Sequence, residues 1–211
     1  MPSLFVYPIR GIFRKLQITT MSFKEKPECL VVSPGGCGTV SLINHLNKYV
    51  KSNIYFEKKY KFYALSHIYK PSAYLKKNKI KIILIRRSYK GIFSSLISRG
   101  YITHSLNFYG DCFPFFYINI FKNKKKIKKK FYSYLDFFYK NWMNYDKKRV
   151  LIINYKELYS NRKVRNKIKN FLNIHDNNFL KEFPKNERYH KKKKNMDLST
   201  LLTKEIYKIK G

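Results

Sequence analysis

Short apolar runs divide this chain into a regular order. Residues 29–33, 62–66, 80–86 and 149–154 each hold a compact hydrophobic stretch. Lys81-Ile82-Ile83-Leu84-Ile85 and Val150-Leu151-Ile152-Ile153 are continuous rather than alternating. That pattern predicts strands covered on both faces, as in a parallel sheet. Between the runs the apolar spacing becomes helical, predicting helices over 39–51, 71–77, 89–99, 128–145 and 162–172. Leu42, Ile43 and Leu46 share one face, and Phe131, Leu135, Phe138 and Trp142 share another. Strands alternating with helices predict an α/β fold: a single-domain, three-layer sandwich around a central parallel sheet. The expected organisation is an N-terminal arm over 1–27, an α/β domain over 28–185, and a basic C-terminal segment with a helix over 186–211. No internal repeat is present.

The chain has 211 residues, enough for a real core. It is 44% hydrophobic and 18% aromatic, which excludes a disordered polycation. Its formal net charge is +34, from 46 Lys and Arg against 12 Asp and Glu. Such a field attracts polyanions: nucleotides, sulfated or phosphorylated sugars, nucleic acid, anionic membrane surfaces. The joint richness in Lys, Asn, Ile, Tyr and Phe also matches AT-rich coding, so part of the charge reads as a solvated surface. Lysine runs lie at 122–130 and 191–194. Without aromatics interleaved in the sequence they are weak evidence for base recognition. Cys29, Cys37 and Cys112 have neither metal-site spacing nor a disulfide pattern. A reducing, cytoplasmic location is therefore expected, with no metal. No run is long enough to predict a membrane span.

Two segments carry candidate chemistry. The first is Ser33-Pro34-Gly35-Gly36-Cys37-Gly38-Thr39-Val40, between the first strand and the first helix. Strand, glycine loop and helix together present backbone N–H groups to a phosphate; the plain alternative is a turn joining strand to helix. ATP-hydrolysing versions of this loop end in Gly-Lys-Ser/Thr, and here no Lys precedes Gly38-Thr39. Cys37 reads as a small residue in a tight turn rather than a nucleophile. The second segment lies after the 80–86 strand: Arg86-Arg87 leads into a helix bearing Ser94-Ser95. An Arg at a strand's carboxyl end, with a Ser in the next helix, can grip a second phosphate. The two sites together imply a nucleotide with two separated phosphates.

With these residues in place the chain resembles the sulfotransferases that use 3′-phosphoadenosine 5′-phosphosulfate (PAPS). Gly38-Thr39 falls in register with the family's 5′-phosphosulfate loop. Ser66-His67 is similar to its Thr-His pair, and Arg87 with Ser95 to its 3′-phosphate pair. Trp142, then Val150 to Leu158 with Tyr155, then Ile168 to Leu172, come in the family's order. The resemblance covers roughly 28–175 and implies a P-loop NTPase-like sulfotransferase fold. It implies a cofactor site of Gly35, Gly36, Cys37, Gly38, Thr39, Val40, Arg87, Ser95 and Tyr155. It further implies PAPS as donor, the desulfo nucleotide PAP as product, no metal, and His67 as the base. Glu57 or Asp111 are alternative bases, and Arg86 with Ser94 an alternative register. The expected acceptor is a hydroxyl or amine of a carbohydrate or small molecule.

Departures from the family pattern are specific. Its loop Lys or Arg falls on Gly36, its adenine-stacking aromatic on Ser41, and an acidic position on Gly91. Lys70 or a lysine of the C-terminal run is the candidate substitute for the loop cation; the family's C-terminal Arg-Lys-Gly, which closes on the 3′-phosphate, has no clear match, and Arg188 with Lys191 to Lys194 is the candidate for its part. Two competing readings remain. One is a P-loop kinase-like phosphotransferase, disfavoured by the missing Gly-Lys-Ser/Thr. The other is a catalytically degenerate fold that binds nucleic acid or glycan, with membrane anchoring a further variant.

Overall fold

The computed structural model describes residues 27–53, 70–71, 73–98 and 124–184. Its sheet has three parallel strands in the order β1 (Cys29–Val32), β2 (Lys81–Arg86), β3 (Val150–Asn154). Cys29 lies opposite Lys81 and Val32 opposite Leu84. Ile82 lies opposite Val150 and Arg86 opposite Asn154. The middle strand is the most apolar run, and Ile82 to Ile85 expose no surface. Burying four such side chains stabilises the fold by roughly 1.5–3 kcal/mol each. The outer edge of β1 is closed by a side chain. Asn53 Oδ1 accepts from Val31 N–H at 2.6 Å, and Asn53 Nδ2 donates to Val31 C=O at 3.0 Å. One amide thus supplies both bonds a neighbouring strand would offer.

The described helices are α1 (Thr39–Leu46), α2 (Ala73–Lys77), α3 (Tyr89–Ile97), α4 (Lys124–Met143), α5 (Tyr155–Ser160), α6 (Arg162–Leu172) and α7 (Asn178–Lys181); α5 and α7 fall outside the intervals the apolar spacing marks, and the other five lie within or across them. The chain in these residues is α/β with a parallel sheet. The expected strand at 62–66, the N-terminal arm apart from Pro27, and the segment 186–211 lie outside the described residues. Helix α1 stops earlier than expected. Asn47 Oδ1 accepts from the Ser52 N–H at 3.1 Å and its hydroxyl at 2.6 Å, turning the chain where the pattern continued the helix. Helix α4 begins earlier, inside the lysine run. Lysine is a good helix former, and Phe131, Leu135, Phe138 and Trp142 pack fully buried beneath it. Asn154 and Asn161 cap α5 and α6 by accepting from Lys156 N–H and Lys163 N–H. Asn173, at φ 59°, ends α6 in the left-handed conformation asparagine tolerates.

The C-terminal part of the core closes over α1 through His45. Its Nε2 lies 3.0 Å from the Phe179 carbonyl, and Phe179 and Phe183 each sit 4.8 Å from its ring. At the surface Lys48 pairs with Glu182 at 3.1 Å. Burial holds the imidazole below its ordinary value of 6.5, outweighing the carbonyl's opposite pull. The folded state therefore favours neutral His45, while the unfolded chain takes up a proton as pH falls through 6.5. Stability contributed by this site is full above 6.5 and declines below it, until the folded-state value is reached. Urea midpoints for wild type are expected to fall between pH ~7.5 and ~5.5, and the His45→Gln midpoint to vary less over that range. Equal slopes in both proteins would remove His45 as the cause.

Candidate anion-binding site

Parallel pairing brings the carboxyl ends of β1, β2 and β3 to one edge of the sheet. The segments leaving the three strands meet there. After β1 comes the glycine loop, with Gly35 at φ 92°, Gly36 at φ 66° and Gly38 at φ 66°. Gly38 is also the N-cap of α1, with no side-chain cap bond. Inside the loop, Ser33 is fully buried, accepts from Gly35 N–H at 3.2 Å and shares a 2.5 Å hydrogen bond with the Thr39 hydroxyl. Cys37 is 1% exposed and its Sγ donates to the Gly35 carbonyl at 3.1 Å. The thiol therefore fills and braces the turn.

After β2 comes Arg87. Its Nη1 donates to the Gly36 carbonyl, and its guanidinium lies 4.6 Å from the centre of the Tyr155 ring. The backbone at this point is held by Tyr139, whose hydroxyl accepts from Arg87 N–H at 3.3 Å. Burial pushes the Tyr139 phenol well above its usual range, so it stays a neutral hydroxyl. Gly91 leaves room for this arginine: a Cβ there would lie 2.9 Å from Arg87 Nε. After β3 comes α5, opening with Tyr155. One turn later the Tyr159 hydroxyl donates to the Gly38 carbonyl at 2.9 Å.

Glycines with positive φ at a helix start, with a guanidinium beside them, are a backbone arrangement able to present N–H groups and positive charge to an anion. The Tyr155 ring lies against that guanidinium. The structure thus brings Gly35, Gly36, Cys37, Gly38, Thr39, Arg87 and Tyr155 together. Of the two arginines, Arg87 faces the loop; Arg86 is exposed and lies over Tyr139, 5.6 Å from its centre. Val40, on the first turn of α1, is 38% exposed. Ser95 lies on α3, partly buried, its carbonyl accepting the Ser98 hydroxyl at 3.2 Å. Ser41 is buried, and its hydroxyl has no partner among the described residues. His67, Glu57 and Asp111 lie outside the described residues, as do Arg188 and Lys191 to Lys194.

Tyr159 is the residue that motif reading misses. Its signal in the sequence is the spacing from Tyr155, four residues on along one helix face. A cleft of about 760 Å³ opens at the opposite end of the sheet, lined by residues that include Glu28, Lys48, Lys79, Lys81, His175 and Asp176. It mixes both charge signs and has no glycine loop, so the site is assigned to the carboxyl end on chemistry. Among the described residues no helix is long and apolar enough to cross a membrane, and no group of three or more His, Cys, Asp or Glu could hold a metal. No family model, no curated protein and no solved structure matches this chain.

Gly38 tests the geometry. A Cβ there would fall 2.5 Å from the Tyr159 hydroxyl and 3.2 Å from Tyr155 Cε2, at a φ of 66°. Gly38→Ala is expected to destabilise the protein by about 1–3 kcal/mol, from left-handed strain and the displaced tyrosine. Tyr159→Phe, losing one hydrogen bond, is expected to cost about 1 kcal/mol. Chemical denaturation measures both, and a neutral Gly38→Ala would contradict the packing of α5 on the loop.

Proposed function

We propose that this chain is a sulfotransferase of P-loop-like fold, moving a sulfuryl group from PAPS to an acceptor hydroxyl or amine. The observation that carries the reading is the meeting of Arg87, the glycine loop and Tyr155 at one edge of the sheet. Arg87 is 51 positions from Gly36 and 68 from Tyr155. Motif similarity in a line of sequence need not produce such a convergence. Bound PAPS supplies an activated sulfuryl group on a 5′-phosphate.

This chain's residues have distinct tasks in that reading. Backbone N–H groups of Gly36 to Thr39 hold the 5′-phosphate. Thr39's hydroxyl, shared with Ser33, fixes the loop's shape as well. Arg87, with Ser95 on the next helix, takes the 3′-phosphate and so discriminates PAPS from ATP. To do this its guanidinium exchanges the Gly36 carbonyl for a phosphate, a stronger acceptor. Tyr155 supports the guanidinium in both states. His67 is the proposed base that takes the acceptor's proton.

A specific observation favours one second reading, a nucleotide-binding protein of the same fold without transfer activity. The family's loop cation is replaced by Gly36, which adopts φ 66°, a conformation costly for a lysine or arginine. The loop is therefore shaped around its glycine.

Calorimetric titration with PAP and with ATP checks the proposal. PAP is expected to bind saturably and ATP much more weakly. Arg87→Ala is expected to weaken PAP by about ten- to hundredfold, since bonds to charged groups contribute about 1.5–3 kcal/mol. Equal binding of the two nucleotides, or no effect of Arg87→Ala, would sink it. PAP binding without turnover of PAPS on any acceptor would select the second reading.

A further inference from the structure

Along the sequence, the 122–130 lysine run carries no aromatics. In the fold, aromatics interleave with cations across α3 and α4. Arg86 lies over Tyr139, 5.6 Å from its centre. Tyr139 stacks on Tyr89 at 6.1 Å, with 10° between the planes. Tyr89 meets Tyr132 edge-on at 5.4 Å, and Lys128 Nζ lies 5.5 Å above Tyr132. Lys128, Tyr132, Asp136 and Tyr139 share one face of α4, spaced three or four residues apart. The result is one ribbon: Arg86, Tyr139, Tyr89, Tyr132, Lys128. It starts beside Arg87 and ends in the lysine-rich turns of α4.

Exposure separates core from surface along this ribbon. Tyr139 is 3% exposed and belongs to the core. Tyr89 and Tyr132 are half-buried, while Arg86, Lys90, Lys128 and Lys129 are exposed. Asp136 is the one acid on the ribbon's α4 face, and it accepts the Tyr89 hydroxyl at 2.5 Å. Burial and that bond push the Tyr89 phenol up to about 12. The acid is thereby committed to orienting a ring rather than to pairing with a lysine.

We propose that this ribbon is a docking track for single-stranded nucleic acid. Fixed tyrosine rings offer stacking surfaces to bases, and the flanking cations face the phosphates. A duplex hides its base faces and fits the arrangement poorly. A glycan has no aromatic base, and a bilayer offers no planar groups to stack at these spacings. The track is separate from the nucleotide reading, and its test needs no PAP.

Fluorescence anisotropy of the full chain with a fluorescein-labelled oligothymidylate measures the track. Heparin, a duplex of equal length and phosphatidylserine vesicles serve as competitors. The oligothymidylate is expected to outbind the duplex. Tyr132→Leu is expected to weaken it about tenfold or more, and Tyr132→Phe to retain it. Lys128→Gln, at an exposed position, is expected to lower the salt slope by about one. Circular dichroism confirms folding, and Lys128→Gln decides the matter if Tyr132→Leu does not fold. Equal affinity for duplex, preference for heparin or vesicles, or indifference to both Tyr132→Leu and Lys128→Gln overturns the proposal.

Discussion

The middle strand sets the position of everything that bears chemistry here. Because β2 is buried on both faces and paired along both edges, its end is fixed to within the sheet's register. Arg86 and Arg87 come at that end without a linker. The parallel pairing then delivers the loop after β1 and the helix after β3 to the same edge. A strand with one exposed face could slip or bend there; this one cannot do so without exposing isoleucines. The positional accuracy of Arg87 is thus inherited from the least polar part of the chain.

A chain with this much positive charge must place its inward-facing cations with care. Arg87 is only partly exposed, and it is tolerated because a carbonyl and a tyrosine face both attract it. Lys81 uses the same device at the opposite end of β2, donating to the Phe171 carbonyl at 2.7 Å near the end of α6. There the helix dipole adds to the attraction. Neither arrangement uses one of the scarce carboxylates. Where an acid does appear at a junction, as with Glu182 on Lys48 and Tyr49, it joins two segments distant in sequence. Hydrogen bonds from Lys48 and the Tyr49 phenol hold that carboxyl below its usual range.

Continuous apolar runs made the three described strands legible; β1 and the centre of β2 are buried on both faces as expected, whereas β3 is more open than its run suggests, with Ile153 buried and Ile152 44% exposed. Helix α6 was legible to the residue, since Val164, Ile168 and Leu172 recur at the helical period between two asparagine caps. Helix α5 was not. It is short, and its signal, Asn154 with Glu157 three residues on, coincides with the motif around Tyr155. The start of α4 is hard to read because a lysine run looks like solvated loop until the apolar face beneath it is counted. Within the site, glycines were legible because positive φ restricts the choice of residue. Tyr159 was illegible as a contact, since its partner lies 121 residues away and only packing of α5 joins them.

Arg86 and Arg87 are adjacent in sequence, yet they serve different surfaces. Successive residues of an extended chain point to opposite sides. That alternation sends one guanidinium to the glycine loop and the other to the Tyr139 ring. Tyr139 touches both arrangements, accepting from the Arg87 backbone while its ring carries Arg86. A group that drew Arg87 off Gly36 would load the backbone that Tyr139 holds. The same tyrosine stacks on Tyr89, the first residue of α3. The loop site and the aromatic ribbon therefore share one buried tyrosine, which contacts the Arg87 backbone on one side and carries the Arg86 guanidinium on its ring.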